Sequence, residues 1–413
     1  MQILQGKAAE NAVMKLASRG SQLQKVEPRA RHIVRAVQRG GDRTLIRYAT
    51  LWDGLQPGQP IRVSPEEIAE AWNSIPHDTQ SALRSAAANI RRFCQWQMPR
   101  QWRKKVSGGE LGQIVRPLDS VGCYVPGGRY PLPSTQLMTV IPAQVAGVPR
   151  ICVVSPRPQP ATLAAAALLG VREVYRCGGA QAVAALAYGT ETIPRVDKIV
   201  GPGNSLVTAA KKLASSDCTI DMLAGPTEAV FYSDEGDPRF LAADMVAQAE
   251  HDPDAVVALI TTKLALAKSV HAAIAVASKG NVIARQAIRR NAHLLIADSP
   301  QQATAWINRI APEHLSVDQD DLVEIRSAGS IFVGDYSPQS AGDYAAGPNH
   351  VLPTAGAARF RGGLSVSDFL KIITVQRFDA AGLAGIAPVI TTLAEAEGLH
   401  AHAASVRARD AHA

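Results

Sequence analysis

The chain has 413 residues, of which 46% are hydrophobic and 19% charged, the balance of a globular protein with a sizeable core and a length that sets a prior of about two to three domains. No apolar run reaches membrane-spanning length and Met1-Gln2-Ile3-Leu4-Gln5-Gly6-Lys7 carries no apolar signal core, so we expect a cytoplasmic protein with no membrane partner. The five cysteines (Cys94, Cys123, Cys152, Cys177, Cys218) are odd in number and form no C-x-x-C pair, which argues against a disulfide framework or cysteine-bound zinc.

Residues 1 to 115 read as mostly helical, with apolar positions three and four apart in 42–49 and 65–93. Pro65-Glu66-Glu67 is a good helix start, with proline and acids in the first turn. The formal net charge is +7, and part of it sits in 91–105, where basic residues alternate with Phe93, Trp96 and Trp102. That pattern suits nucleic acid, but no RNA-binding signature accompanies it. We therefore read a helix with Phe93 and Trp96 facing inward, and expect no nucleic-acid partner. A positive surface would also draw in an anionic cofactor or substrate.

From Val121 short β-branched runs alternate with alanine-rich stretches. The spacing predicts strands over 121–125, 150–155, 173–176 and 198–201, with helices over 134–146, 161–169 and 180–188. A second set follows, with strands over 228–233, 255–261, 293–297 and 330–334 and helices over 238–250, 263–277 and 300–309. Such alternation implies right-handed crossovers and parallel sheets. Two like units suggest an old duplication. No low-complexity linker separates them, so they should share an extensive interface. The tail from Ala380 reads as helical.

Three glycine-rich turns follow predicted strands: Val125-Pro126-Gly127-Gly128, Cys177-Gly178-Gly179-Ala180-Gln181 and Val200-Gly201-Pro202-Gly203-Asn204. Glycine lets backbone approach a ligand, and a helix start offers free N–H groups to an anion. None matches G-x-G-x-x-G. Three such turns at one end of a predicted sheet still favour a ligand there, since ligands gather at the carboxyl ends of parallel strands.

Reactive side chains concentrate further on. Gln248 and His251 are three apart near the end of a predicted helix and share a face, which is half a metal site or a polar helix end capped by His251. Ala311-Pro312-Glu313-His314-Leu315 sets a carboxylate beside an imidazole at a helix or strand start. We expect those two neighbouring side chains to diverge and to do different tasks. Residues 334–353, with Asp343 and His350, are punctuated by glycine, proline and serine and read as an ordered loop rather than a helix. Near the end stand Glu397, His400 and His402.

These segments, in this order, resemble the histidinol dehydrogenase family. The motifs are Val121-Gly122-Cys123-Tyr124-Val125-Pro126-Gly127-Gly128, Gly178-Gly179-Ala180-Gln181-Ala182, Asp197-Lys198-Ile199-Val200-Gly201-Pro202-Gly203-Asn204 and Ala224-Gly225-Pro226-Thr227-Glu228. They continue with Gln248-Ala249-Glu250-His251, the Glu313-His314 segment, Ser340-Ala341-Gly342-Asp343-Tyr344, Asn349-His350-Val351-Leu352-Pro353 and Asp368-Phe369, and close with Glu397 and Ala401-His402. The match runs from about Gly40 to His402. Arg129-Tyr130, after the first glycine turn, is bulkier than the small residues expected there.

The resemblance implies an α/β fold of two Rossmann-like parallel-sheet domains of related topology, with small helical N- and C-terminal segments, in an intertwined homodimer. Residues 1–25 would be an N-terminal helical segment. Residues 26–120 and 230–365 would form a discontinuous catalytic and metal-binding domain, 121–229 the NAD-binding domain, and 366–413 a tail reaching the partner subunit. The implied activity is oxidation of L-histidinol to L-histidine through L-histidinal with two NAD⁺, the last step of histidine biosynthesis. One Zn²⁺ per subunit would be held by Gln248, His251, Asp343 and the partner's His402, with His400 as a competitor for that last place. Glu313 and His314 would be catalytic. Tyr124, Gln181 and Asn204 would touch NAD. Thr227, Gln248, His251, His314, Asp343, His350, Glu397 and His402 would surround substrate. Two other readings stay open: a sister zinc- and NAD-dependent dehydrogenase acting on another polar alcohol such as sulfopropanediol, and an inactive NAD-binding or scaffold protein.

Overall fold

The computed structural model describes residues 1–20, 23–127, 131–319 and 322–410. Strand β1 (Ile3–Gln5) and helix α1 (Gly6–Ala17) open the chain, followed by α2 (Glu27–Tyr48), α3 (Pro65–Ser74) and α4 (His77–Trp96). Helix α3 starts as expected, with Pro65 in its first turn and a reciprocal cap in which Ser64 and Glu67 satisfy each other's backbone N–H. The helical reading then fails. Helix α4 stops at Trp96, which is 74% exposed rather than inward-facing. A hairpin of β2 (Trp102–Val106) and β3 (Gly109–Pro117) takes the place of further helix, turning through Gly108 at φ 64°. Side chains there alternate across a sheet, and strand pairing from elsewhere in the chain decides the matter.

The first parallel unit runs β4 (Ser120–Tyr124), α5 (Pro133–Ala146), β5 (Arg150–Val154), α6 (Pro160–Leu168), β6 (Glu173–Tyr175), α7 (Gly179–Tyr188), β7 (Lys198–Val200), α8 (Ser205–Ala214) and β8 (Thr219–Ile220). Its strands lie in the order β6-β5-β4-β7-β8, all parallel. Strand β4 is buried throughout, as expected of a strand covered on both faces. Helices α2, α3 and α4 cover this unit, not the other one: α2 packs on α7 and α8, α3 on α6, and α4 on α5. Residues 27–96 therefore sit against the sheet of 120–220, contrary to their expected place beside 230–365. The cause is their apolar faces. Ile33, Val37 and Leu45 share a buried cluster with Leu186 and Ile199, and Ile68, Leu83 and Ile90 share another with Val121 and Ile141.

The second unit runs β9 (Glu228–Tyr232), α9 (Pro238–Ala249), β10 (Val256–Thr261), α10 (Leu264–Ala277), α11 (Val282–Asn291), β11 (Ala292–Ile296), α12 (Pro300–Ile310), β12 (His314–Val317) and β13 (Ser330–Val333). Its order is β1-β11-β10-β9-β12-β13, again all parallel. Apart from β1 at the edge, this repeats the strand order of the first unit. Helix α11 is not among the expected elements, and at Glu313-His314, where a helix or a strand start is expected, the chain forms the short strand β12.

Within the expected loop, 339–344 forms a short helix, α13 (Gln339–Tyr344), entered through Pro338. Gln339 donates to Ser316 of β12, and Gly342 lies so close to the Phe332 ring that a Cβ would clash, so tertiary packing holds the turns of this helix. Strand β14 (Leu370–Phe378) pairs with β3 to give a three-stranded antiparallel sheet. Helices α14 (Ala380–Ala396) and α15 (His400–Asp410) finish the chain. Among the described residues no helix is long and apolar enough to cross a membrane.

Candidate active site

Strands β9 and β12 are neighbours, with Ala229 opposite His314. Thr227 and Glu313 thus stand just ahead of two adjacent strands, at the amino end of the six-stranded sheet. That is the opposite end from the one usually used by ligands of open parallel sheets. Glu313 is buried, and its Oε2 accepts from the Thr227 hydroxyl at 2.7 Å and from the Glu228 backbone N–H at 2.9 Å. His314 is also buried, stacked near Phe332 with ring centroids 5.9 Å apart. Its Nδ1 lies 3.7 Å from Glu313 Oε2 and its Nε2 lies 3.6 Å from Asp343 Oδ1. The neighbouring side chains of Glu313 and His314 were expected to diverge; they converge. Glu313 precedes the regular strand, after Ala311 in left-handed backbone at φ 53°, so strand alternation does not govern it.

Asp343 sits on α13, which packs against α9, the helix whose last turn carries Gln248. Gln248 is buried, with its Oε1 3.4 Å from the Thr227 hydroxyl. His350 places Nδ1 2.7 Å from the Asp343 carbonyl and Nε2 3.3 Å from Thr135 Oγ1 on α5. The cluster is therefore built from both parallel units. Burial pushes the Glu313 carboxyl up to about 7, against the opposing pull of His314, Thr227 and the Glu228 N–H. Burial alone would lower His314, but the carboxylates of Glu313 and Asp343 outweigh it and raise the imidazole. Burial alone would raise Asp343, yet the imidazoles of His314, His350 and His251 bring it below its ordinary value.

The residues that could hold a metal ion fit the task in part. Gln248 offers an amide oxygen, and the Asp343 carboxylate lies within the field of His251 and His350. Among the described residues the buried Nε2 of His314 has no hydrogen-bond partner, which leaves a polar atom unsatisfied within the cluster. An N/O donor set of this type suits a divalent ion with room left for substrate. Among the described residues no three His, Cys, Asp or Glu side chains converge as a metal cage. Glu397 and His402 are exposed at the junction of α14 and α15, and among the described residues neither side chain makes a hydrogen bond. The chain does not bring them to the pocket.

The glycine turns meet at the carboxyl end of the five-stranded sheet. Tyr124 closes β4, and its hydroxyl accepts from the Gly179 N–H at 3.0 Å. Gln181 on α7 is buried, with Nε2 held by Asp53 and, among the described residues, no partner for Oε1. Asn204 caps α8 through the N–H groups of Leu206 and Val207 and is exposed. Gly128 and the bulky Arg129-Tyr130 lie outside the described residues. Sequence reading overlooked two anchors. Asp53, at the end of α2's extension, accepts from both the Gly178 N–H and Gln181 at 2.9 Å. The buried pair Lys211–Asp221 grips Gly201 by both backbone groups: Lys211 donates to its carbonyl at 3.0 Å and Asp221 accepts from its N–H at 2.7 Å. Gly201 has φ 114°, and a Cβ there would strike the Tyr124 carbonyl. A lone Asp and a mid-helix Lys carry no motif, so only their neighbours reveal them.

Residues 16–410 match the family model described as histidinol dehydrogenase. The chain is 48% identical to histidinol dehydrogenase from Methanothermobacter thermautotrophicus over 392 residues, covering 91% of this chain and 92% of the relative. It is 44% identical to that from Gluconobacter oxydans over 417 residues, covering 97% and 96%. The crystal structure of histidinol dehydrogenase from Elizabethkingia anophelis superposes with a TM-score of 0.93 at 36% identity, covering 99% of this chain and 98% of that one. On this combination of sequence, fold and family match, the chain belongs to the histidinol dehydrogenase family.

Proposed function

We propose that the protein is a zinc-dependent, NAD-dependent dehydrogenase that oxidises L-histidinol to L-histidine through L-histidinal, the last step of histidine biosynthesis. The observation that carries this reading is the convergence of Glu313 and His314 on one pocket with Asp343, His350 and the Thr227–Gln248 contact, in a chain of this family. NAD⁺, bound beside Tyr124, Gln181 and Asn204, supplies the hydride acceptor for both stages. Zinc, held by Gln248, His251, Asp343 and the partner subunit's His402, supplies a Lewis-acid anchor that orients the amino alcohol.

The chain's own residues handle protons and position. In the first stage the alcohol carbon loses hydride while His314 takes the hydroxyl proton, giving the aldehyde. Glu313 then takes a proton from water as its oxygen adds to the aldehyde carbon, and His314 returns its proton to the aldehyde oxygen to give the hydrate. The hydrate passes its hydride to a second NAD⁺ and a hydroxyl proton to His314, becoming the carboxylic acid. Thr227 holds Glu313 in place, and His350, fixed through the Asp343 carbonyl, lines the substrate side. Glu397 and His402 would complete the pocket from a second subunit in an intertwined homodimer. The exposed apolar residues Val389, Leu393 and Leu399 around the tail support such an interface. Two Rossmann-like units, one for cofactor and one for chemistry, suit the strand orders of the two sheets. The five free buried cysteines suit the reducing cytoplasm.

The test is NADH formation with histidinol and with sulfopropanediol, with and without a chelator. We expect two NADH per histidine formed, loss of turnover on chelation with recovery on adding zinc, and no turnover of the sulfonate. Zinc-replete protein that leaves histidinol unchanged would overturn the reading.

A further inference from the structure

The main chain of Glu228 contacts Glu313 and His314, and its side chain contacts Arg19 and Ala355. Its carboxylate is only 3% exposed and makes an ion pair with Arg19 at 2.9 Å. Its other oxygen accepts from the N–H of Ala355, a residue in left-handed backbone at φ 55°. Its own backbone N–H donates to Glu313 Oε2 at 2.9 Å, and its carbonyl lies 3.4 Å from His314 Nδ1. The main chain of one residue thus touches both members of the reactive pair.

Three remote segments meet at this residue. Arg19 follows α1 and is itself fixed by donating to the Leu16 carbonyl at 2.8 Å. Thr354 accepts from the Gly225 N–H at 2.5 Å, so the segments 225–228 and 354–355 are tied at both ends. Arg359 donates to the Ala17 carbonyl at 3.2 Å and ties the N-terminal segment to the same place. A buried ion pair is a poor source of stability, since desolvation offsets its Coulomb gain and an apolar pair of like shape does as well or better. What an apolar pair at these positions could not do is anchor the strand start against two other segments while leaving its N–H aimed at Glu313.

We propose that Glu228, held by Arg19, is a positioning residue that fixes the Glu313 carboxylate for the aldehyde stage of the reaction; this rests on the functional reading above. Among the described residues Glu313 Oε2 takes its hydrogen bonds from Thr227 and Glu228. If the Glu228 side chain lets go, the donor pair shifts as a unit. The alcohol stage depends on His314, whose link to Glu228 is longer at 3.4 Å, and should suffer less.

The experiment uses full-length, zinc-loaded protein, with NADH formation measured separately from histidinol and from histidinal, beside thermal melting. Glu228→Gln should slow histidinal oxidation about ten- to hundredfold, as small misplacements of a reacting group do. KM for histidinol should stay within about twofold, the signature of lost positioning rather than lost binding. Arg19→Met should give the same asymmetric pattern, and Arg19→Lys should restore most of the aldehyde rate. Arg19 is 24% exposed and decides the matter if Glu228→Gln does not fold. Unchanged rates in active protein overturn the proposal alone. So does equal slowing of both stages in step with a fall in melting temperature. Wild-type protein inactive on both substrates overturns the functional reading and the proposal with it.

Discussion

The hydroxyl of Thr227 donates to Glu313 Oε2 at 2.7 Å and lies 3.4 Å from Gln248 Oε1. One small side chain therefore joins the proposed base to a proposed metal ligand. Thr227→Val keeps the shape and removes the donor, leaving a buried carboxylate with one hydrogen bond fewer. We expect kcat/KM for histidinol to fall about ten- to hundredfold, the cost of about 1.5–3 kcal/mol for a charge-assisted bond. Thr227→Ser should retain most activity. Steady-state kinetics on the two variants checks this.

The tail leads to a mixing experiment. His402→Ala and His314→Ala homodimers should both be inactive. A purified heterodimer of the two has one pocket with both residues intact, and should recover about half of wild-type activity per dimer. Absence of rescue in verified heterodimers would mean that the pocket is not shared. Truncation before Glu397 should abolish turnover and weaken zinc binding measured by direct titration.

The Lys211–Asp221 pair offers a separation of stability from cofactor binding. Lys211→Met strands a buried carboxylate and should cost about 3–5 kcal/mol, read from denaturant unfolding. Lys211→Met with Asp221→Leu should recover most of that loss, since neither charge is then left alone. The double variant should still bind NAD⁺ several-fold more weakly, because Gly201 has lost both backbone partners. Equal NAD⁺ affinity in the double variant would show that the turn holds itself.

Glu67 provides a pH-dependent test of the first unit. Its ion pair with Arg176 holds the carboxyl below its ordinary value. A lowered folded-state value means the stabilisation is full above the unfolded glutamate value and fades as pH falls through the folded one. Glu67→Gln keeps the helix cap, since glutamine serves in a capping box, and removes the charge. The Glu67 side chain is 48% exposed, so solvent screening limits the loss to about 0.5–1 kcal/mol at pH 7. Melting curves of the two proteins should converge as pH falls below the lowered folded-state value of Glu67. A gap that persists in acid would point to packing instead of charge.

Much of the fold was legible because its signals are local. The β-branched runs at 150–154 and 256–261 lie in strands and the alanine-rich runs between strands lie in helices, with ends displaced by a residue or so. At β12 the choice between helix and strand stayed open because four residues hold too little periodicity to decide it. The helix expected to continue past Trp96 gave way to a hairpin because β3 finds partners on both sides, one of them β14 more than 250 residues away in sequence. Residues 27–96 went to the other sheet for a related reason. An amphipathic helix states that it has an apolar face but not which surface will cover it.

The chemistry divides along the same line. By itself the sequence determined the parallel α/β character and the family, and it named the candidate reactive residues, because each rests on residue type and spacing along the chain. Only the tertiary structure decided that Glu313 and His314 converge, that their site lies at the amino end of its sheet, and that Asp53, Arg19, Glu228 and the Lys211–Asp221 pair hold the surrounding backbone. A hydrogen bond or a buried charge pair acts over a few ångströms in space, and separation along the chain carries no record of it.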